Sequence, residues 1–337
     1  MTRLKKTIRY TVSFLVMVVF LYLAFRGQDF GAIWNSLVSV HWTWVALLIV
    51  GGILSHLARA WRWQYLLVPI KDRVTLRNSF SAVMIGYMVN NFLPRVGEVV
   101  RPYSLGKHEN ISKSAAFGSV IIERILDVIT FFSILLAVMF VYSGSFVELF
   151  PSLASMETLF LFGSVAAFAF FVVLFFKAAF FFTLLKKLLV VMPEKLRGKF
   201  NELFDSFVSG FEVSKRPNEF WMIIVTSYLV QGLYLLLMYI PFFAFPEMAG
   251  HSLDFGAATI LLVASTVAFA LPTPSGFGTY HSFTSFVLMK LYHVDGVTAL
   301  SYTILTHEVG VFLTLVIGAY YFFRDHVRVA EMVEAKG

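Results

Sequence analysis

Arg124 stands beside Glu123 and three residues before Asp127, inside the apolar run Ala115 to Tyr142, which is long enough to cross a bilayer. It lies nine residues into that run, ~14 Å along a helix and close to mid-depth in a ~30 Å hydrocarbon core. Ionisable groups at such depth are costly and by default mark substrate or ion pathways. Residues three or four apart share a helix face, so a local ion pair among these three is the competing structural reading. His307 and Glu308 sit at similar depth in a second run, Val297 to Phe323. The chemistry on offer is anion binding and proton transfer. Arginine pairs bidentately with phosphate, which makes Arg95, Arg101 and Arg124 candidate ligands of a phosphate headgroup. Glu98, Glu123, Asp127, His281, His307 and Glu308 are candidates for a proton or charge relay. Against these stand snorkelling anchors for Arg95 and Arg101, and satisfied buried histidines for His281 and His307.

Two apolar segments are broken by a Leu-Pro turn rich in glycine: Asn90-Asn91-Phe92-Leu93-Pro94-Arg95-Val96-Gly97-Glu98 and Ala270-Leu271-Pro272-Thr273-Pro274-Ser275-Gly276-Phe277-Gly278. Backbone freed from helical bonding at membrane depth is tolerated only where it is buried in protein or lines a cavity, and a matched pair of breaks points to a transporter-like binding site. Gly97, Gly276 and Gly278 would let backbone approach a ligand, and the helix N-termini after the breaks would offer N–H groups to an anion. Asn90 and Asn91 either bind substrate or cap the broken helix. Arg59, Trp61, Arg62 and Trp63 read as interface anchors, with guidance of lipid headgroups as the alternative for the arginine pair.

These side chains need a membrane-embedded frame, and the composition supplies one: 58% of residues are hydrophobic and 14% charged. An all-α polytopic integral membrane protein is expected, a single domain over 1–337 with six spanning helices: Thr7 to Phe25, Trp42 to Leu67, Ala115 to Tyr142, Leu159 to Phe176, Phe220 to Pro241 and Val297 to Phe323. The first run is too long for a signal-peptide core and reads as a retained helix. Lysine and arginine cluster in alternate loops, at Arg3 to Arg9, Lys71 to Arg77, Arg95 to Lys113, Lys177 to Arg216 and Arg324 to Arg328. The loops with Glu148 and Glu157, and with Glu247, His251 and Asp254, have none. Positive loops mark the inside, so both termini are cytoplasmic. The broken segments then form re-entrant hairpins of opposite sense, at about 78–112 in a first half, 1–142, and about 255–292 in a second, 219–323. Each hairpin precedes a long helix with ionisable residues near its middle, and setting Ala116 against Ala299 puts Arg124 opposite His307. Such an arrangement is an inverted repeat, the usual skeleton of alternating access. Between the halves, within 177–216, Leu196, Phe200, Leu203, Phe207 and Phe211 mark an amphipathic helix at the inner interface.

The net charge of +7 sits mostly in short loops that meet anionic lipid, so it is no argument for nucleic acid. Cysteine is absent, which excludes disulfides, thiolate nucleophiles and cysteine metal sites. With no P-loop, H-E-x-x-H or dinucleotide fingerprint, neither a cofactor nor a metal is expected.

The order Asn90 to Arg101, read as N-x-L-P-x-x-G-E-x-x-R, then Glu123-Arg124, then Leu271 to Gly278 as L-P-x-P-x-G-x-G, resembles the lysylphosphatidylglycerol synthase transmembrane-region family of flippase-like domain proteins. The resemblance covers nearly the whole chain. It implies transport of an anionic or modified phospholipid, or of an isoprenoid phosphate carrier, across a bacterial cytoplasmic membrane. Some members carry this domain fused to an aminoacyl-lipid synthase; this chain, with no room for one, looks like a stand-alone member and not an enzyme. Many relatives have Glu where this chain has His281. Two other functions stay open. One is an integral-membrane enzyme acting on lipid phosphate, echoed by Arg101-Pro102 and Pro274-Ser275-Gly276, although Phe277 stands where that pattern wants His. The other is a non-transporting assembly factor with envelope-synthesis partners.

Overall fold

The computed structural model describes residues 3–149, 151–177, 180–181, 183–184 and 216–326, and these form helices with no strand among them. Five helices are long and apolar enough to cross a membrane: α3 (Trp42–Leu67), α6 (Lys113–Val141), α8 (Glu157–Phe176), α9 (Pro217–Tyr239, continued by a 3-10 turn to Phe243) and α12 (Gly296–Arg324). α1 (Arg3–Phe25) and α2 (Phe30–Val38) meet at 84° and are together long and apolar enough to count as a sixth span if the bent pair crosses as one. The expected spans therefore all correspond to helices. The bend after Phe25 was not expected; there Gly27 takes a positive φ, and Asp29 caps a new helix by accepting from the Gly31 and Ala32 N–H groups.

Short side chains set several other starts. Thr75 caps α4 (Leu76–Phe92), Ser112 caps α6, Asp254 caps α10 (Phe255–Ala270) and Asp295 caps α12, each accepting from a backbone N–H three residues on. α7 (Ser143–Leu149) is a short helix before α8. The broken segments become two packed helix pairs, α4 with α5 (Gly97–Glu109) and α10 with α11 (Thr279–Tyr292). Each pair leads into a helix of 29 residues, α6 and α12, in which Arg124 and His307 both occupy the twelfth position.

Glycine closes the first pair. A Cβ on Gly97 would lie 1.9 Å from the Gly86 carbonyl oxygen, so α4 and α5 touch backbone to backbone. In the second break Gly276 lies under the Phe269 ring, and Gly278, at φ +80°, lies against the α1 backbone at Met17 and Leu21. At all three glycines the space a side chain would need is taken by neighbouring groups, while Gly97 also borders a small pocket.

The apolar core has two parts. Trp63, Leu66, Val83 and Ile122 centre one on the first half, while Phe245, Leu261, Leu288 and Tyr302 centre the other on the second. α12 joins them by crossing α4 at Gly318, where a Cβ would lie 2.5 Å from Met88. α8 exposes Leu159, Phe160, Phe162 and Phe170, as a helix bathed in lipid should. The interfacial helix expected from Leu196 to Phe211 lies outside the described residues.

Candidate functional site

Glu123 is fully buried and gathers arginines from three helices. Arg59 and Arg62 of α3 reach its Oε1 at 2.6 and 3.1 Å, and Arg101 of α5 reaches Oε2 at 2.9 Å. One turn on, Asp127 holds Arg59 at 3.1 Å, Arg62 at 2.7 Å and Arg124 at 3.4 Å. Arg101 also stacks on the Trp63 ring, 3.8 Å from its centroid, and Arg59 donates to the Tyr234 hydroxyl at 2.9 Å. Four guanidinium groups thus share two carboxylates, an excess of two positive charges. Arg62 Nε, Arg101 Nε and Nη2, and Arg124 Nε are buried with no hydrogen-bond partner among the described residues. Buried charge is stable only when paired and bonded, so this cluster is complementary to an added anion.

Arg59, Arg124 and Asp127 face a cavity of about 430 Å³ enclosed by α3, α4, α6, α9, α10, α12 and the second break, within the ~300–1,000 Å³ usual for small-molecule sites. Arg124, with its side chain 39% exposed, also borders a pocket of about 40 Å³ shared with Arg101, Asn90, Gly97 and Glu98.

The opposite wall carries Ser275, Tyr280 and His307. His307 Nε2 lies 2.8 Å from the Ser275 carbonyl oxygen and Nδ1 lies 2.9 Å from Glu308 Oε1. A carbonyl only accepts, so Nε2 carries a hydrogen; the contact of Nδ1 with a carboxylate oxygen then needs a second proton between them. His281 Nε2 stands 3.8 Å from the same oxygen. The ligand atoms of His281, His307 and Glu308 lie within 4.8 Å of one another, the usual donors for a transition metal. The 2.9 Å Nδ1–Oε1 separation is that of a hydrogen bond, shorter than the roughly 3.3 Å between ligands in a tetrahedral site with ~2.0–2.1 Å bonds. A proton fits as the geometry stands.

The two breaks meet at the cavity edge. Asn91 of α4 accepts from Ser275 Oγ at 2.7 Å and donates to Thr314 of α12 at 2.8 Å. Asn90 caps its own break, accepting from the Gly97 N–H at 2.7 Å. Ser275 has a φ of +48°, a strained value for a residue with a Cβ, and both its carbonyl and its hydroxyl serve this junction.

Several expectations need correcting. Arg95 does not join Arg101 and Arg124: it is exposed at the first break, with φ +64°, and points to the Ala270 carbonyl. Arg101 is no snorkelling anchor, being buried in the ion cluster. Arg59, Arg62 and Trp63 are not interface anchors either, because Glu123 and Asp127 draw the arginines inward and Trp63 packs beneath Arg101; Trp61 alone of that group is exposed, at 38%. The salt-bridge reading of Arg124 holds together with its exposure to the cavity. Sequence reasoning missed Tyr87, Gln231, Tyr234 and Tyr280 as lining residues, and weighed Ser275 only within the lipid-phosphate enzyme reading. It kept Arg59 and Arg62 as headgroup guides only as an alternative to interface anchors, although their spacing of three, on an apolar helix, was a usable signal.

A polytopic helical membrane protein with a largely apolar cavity that carries a few polar and charged groups, between two helix-pair units, is the class these features define. Residues 10–318 match the family described as the lysylphosphatidylglycerol synthase TM region, and the chain belongs to that family. It is 31% identical over 145 residues to a UPF0104 membrane protein of Methanocaldococcus jannaschii, a stretch covering 42% of each chain. It is 38% identical over 81 residues to a UPF0104 membrane protein of Methanothermobacter thermautotrophicus, covering 23% of each. The matched stretches thus span less than half of these relatives. No solved structure matches.

Proposed function

We propose that this protein carries an anionic lipid across the cytoplasmic membrane by alternating access, with the headgroup phosphate held at Arg59 and Arg124. The observation that carries this reading is the excess of two positive charges behind a cavity whose remaining wall is apolar, with Leu48, Phe131, Leu237, Leu262 and Phe269 suited to the lipid's chains. Arg101 acts from the small pocket, and Asn90 and Asn91 position the breaks rather than touch phosphate. α4–α5 and α10–α11 are the re-entrant hairpins, entering from opposite faces, and both termini are cytoplasmic. His281, His307 and Glu308 hold the coupling proton; Glu123 and Asp127 organise the arginines, and Glu98 modulates the small pocket.

A non-enzymatic role is supported by Ser275. Its hydroxyl is committed to Asn91, and the nearby His307 bonds its carbonyl, so no base addresses that oxygen as a nucleophile. The test is reconstitution into vesicles with labelled phosphatidylglycerol, its aminoacylated form or an isoprenyl phosphate, and measurement of transbilayer movement. Movement of at least one of these, reduced more than roughly tenfold in Arg124→Gln, is expected. Undiminished movement in the folded variant would overturn the assignment, and release of inorganic phosphate would restore the enzyme reading.

A further inference from the structure

The cavity also has a hydroxyl-lined side, and the direction of its hydrogen bonds defines a ligand. Ser55, Ser265, Thr266 and Thr306 line it, and each spends its O–H on a carbonyl of its own helix: Gly52 at 2.8 Å, Leu262 at 2.9 and 2.8 Å, and Tyr302 at 2.9 Å. A hydroxyl bonded backwards in this way keeps only lone pairs for a ligand. Tyr280 OH lies 2.8 Å from Thr306 Oγ1, whose own hydrogen is already given, so the tyrosine is the donor there and it too offers an acceptor. Gln231 gives one amide N–H to Thr130 at 3.2 Å, which leaves its carbonyl oxygen as an acceptor and its second N–H as a donor on this wall. Five helices thus contribute acceptors whose matching donors must come from the ligand.

Two kinds of donor would satisfy them, hydroxyls and ammonium groups, and electrostatics chooses between the two. Among the described residues, the one carboxylate lining the cavity is Asp127, and both its oxygens are held by arginines. Glu123 is buried behind it, and Glu308 is not part of the lining. An ammonium group would meet a surplus of positive charge and no free counter-ion, whereas neutral hydroxyls carry no such penalty. A phosphate alone would fill a minor part of 430 Å³.

We infer that the cavity takes a phosphorylated polyol, a phosphate ester whose headgroup carries several neutral hydroxyls such as a glycerol, inositol or sugar phosphate, and rejects aminoacylated headgroups. This rests on the anion-binding reading above and names its substrate class. The test is binding to the purified full chain in detergent, by native mass spectrometry, of four lipids at equal concentration: phosphatidylinositol, phosphatidylglycerol, phosphatidic acid and lysylphosphatidylglycerol. Soluble inositol phosphate in a parallel arm separates a free ligand from a lipid one, and binding of either form above its non-hydroxylated counterpart supports the inference.

Phosphatidylinositol and phosphatidylglycerol should bind roughly tenfold more tightly than the other two, as expected when a site's polar groups are left unpaired by a poorer ligand. Gln231→Leu and, separately, Thr266→Val should lower phosphatidylinositol binding toward the level of phosphatidic acid. Equal binding of lysylphosphatidylglycerol or of phosphatidic acid, with all binding lost in Arg124→Gln, would overturn the substrate class and leave the anion site standing. Failure of a folded protein to bind any of the probes would overturn both.

Discussion

Arg124 and His307 occupy the same position in two helices of equal length and face one cavity from opposite sides, yet the clusters around them differ in kind. The arginine cluster is permanently charged: four guanidinium groups that do not titrate in proteins, organised by two carboxylates. The histidine cluster is small: His307 Nδ1 lies 2.9 Å from Oε1 of Glu308, whose side chain is 44% exposed. On the carrier reading proposed above, the fixed cluster would attract the anionic cargo and the histidine cluster would take part in coupling.

Breaking the fixed side should have the largest effect. Glu123→Gln removes the carboxylate common to Arg59, Arg62, Arg101 and Arg124, leaving Asp127 to balance four cations. Stability should fall by about 3–5 kcal/mol, the cost of stranding buried charge. Thermal unfolding in detergent would show this, and high phosphate should recover part of the loss by supplying the missing anion. An unchanged melting temperature would mean that the cluster is already neutralised by some other means.

The titratable side should respond differently. In Glu308→Gln the partner of His307 Nδ1 becomes an amide, which can donate its own N–H and removes the need for a shared proton. The dependence of transport on external pH should be weaker in this variant than in the parent. Headgroup binding should stay within about twofold of the parent, as expected for sites without shared partners. A pH profile identical to the parent's would separate Glu308 from any relay.

Much of this division was visible in the sequence. Helix lengths follow from apolar runs, and the breaks from Leu-Pro with glycine, because each signal is local. Glu123, Arg124 and Asp127 stood out because charge inside an apolar run has few explanations. Arg59 and Arg62 were misread because they lie toward the C-terminal end of α3, where anchors and buried cations have the same composition, and their destination depends on carboxylates 61 to 68 residues away. Gly97 and Gly278 signalled close approach correctly, but whether a ligand or a helix does the approaching is a tertiary fact. The acceptor wall was invisible, since serine and threonine bonded to their own helices look alike in sequence whether they face lipid, protein or a cavity.

The bases of the two hairpins extend the comparison beyond the cavity. At the first, Glu109 ends α5 and ties it to the start of α4, accepting from Lys71 Nζ at 2.7 Å, Asn78 Nδ2 at 2.7 Å, and the Thr75 hydroxyl and N–H at 2.8 and 3.1 Å. Burial pushes its carboxyl up, but the bonds from Lys71, Asn78 and Thr75 outweigh this and hold it at about 2. At the second base, His251 Nδ1 meets the Tyr292 carbonyl at 2.9 Å, with no carboxylate in the contact. A depressed acid contributes stability above its ordinary value of 4.5 and loses that contribution as pH falls toward 2. Acid should therefore loosen the α4–α5 base before the α10–α11 base. Hydrogen exchange corrected for intrinsic rates should show protection at 76–80 and 105–109 falling across that window, and Glu109→Gln should lower it roughly tenfold at neutral pH, in line with the loss of charge-assisted bonds. Equal acid sensitivity at the two bases would show that the carboxylate is not what holds the first hairpin closed.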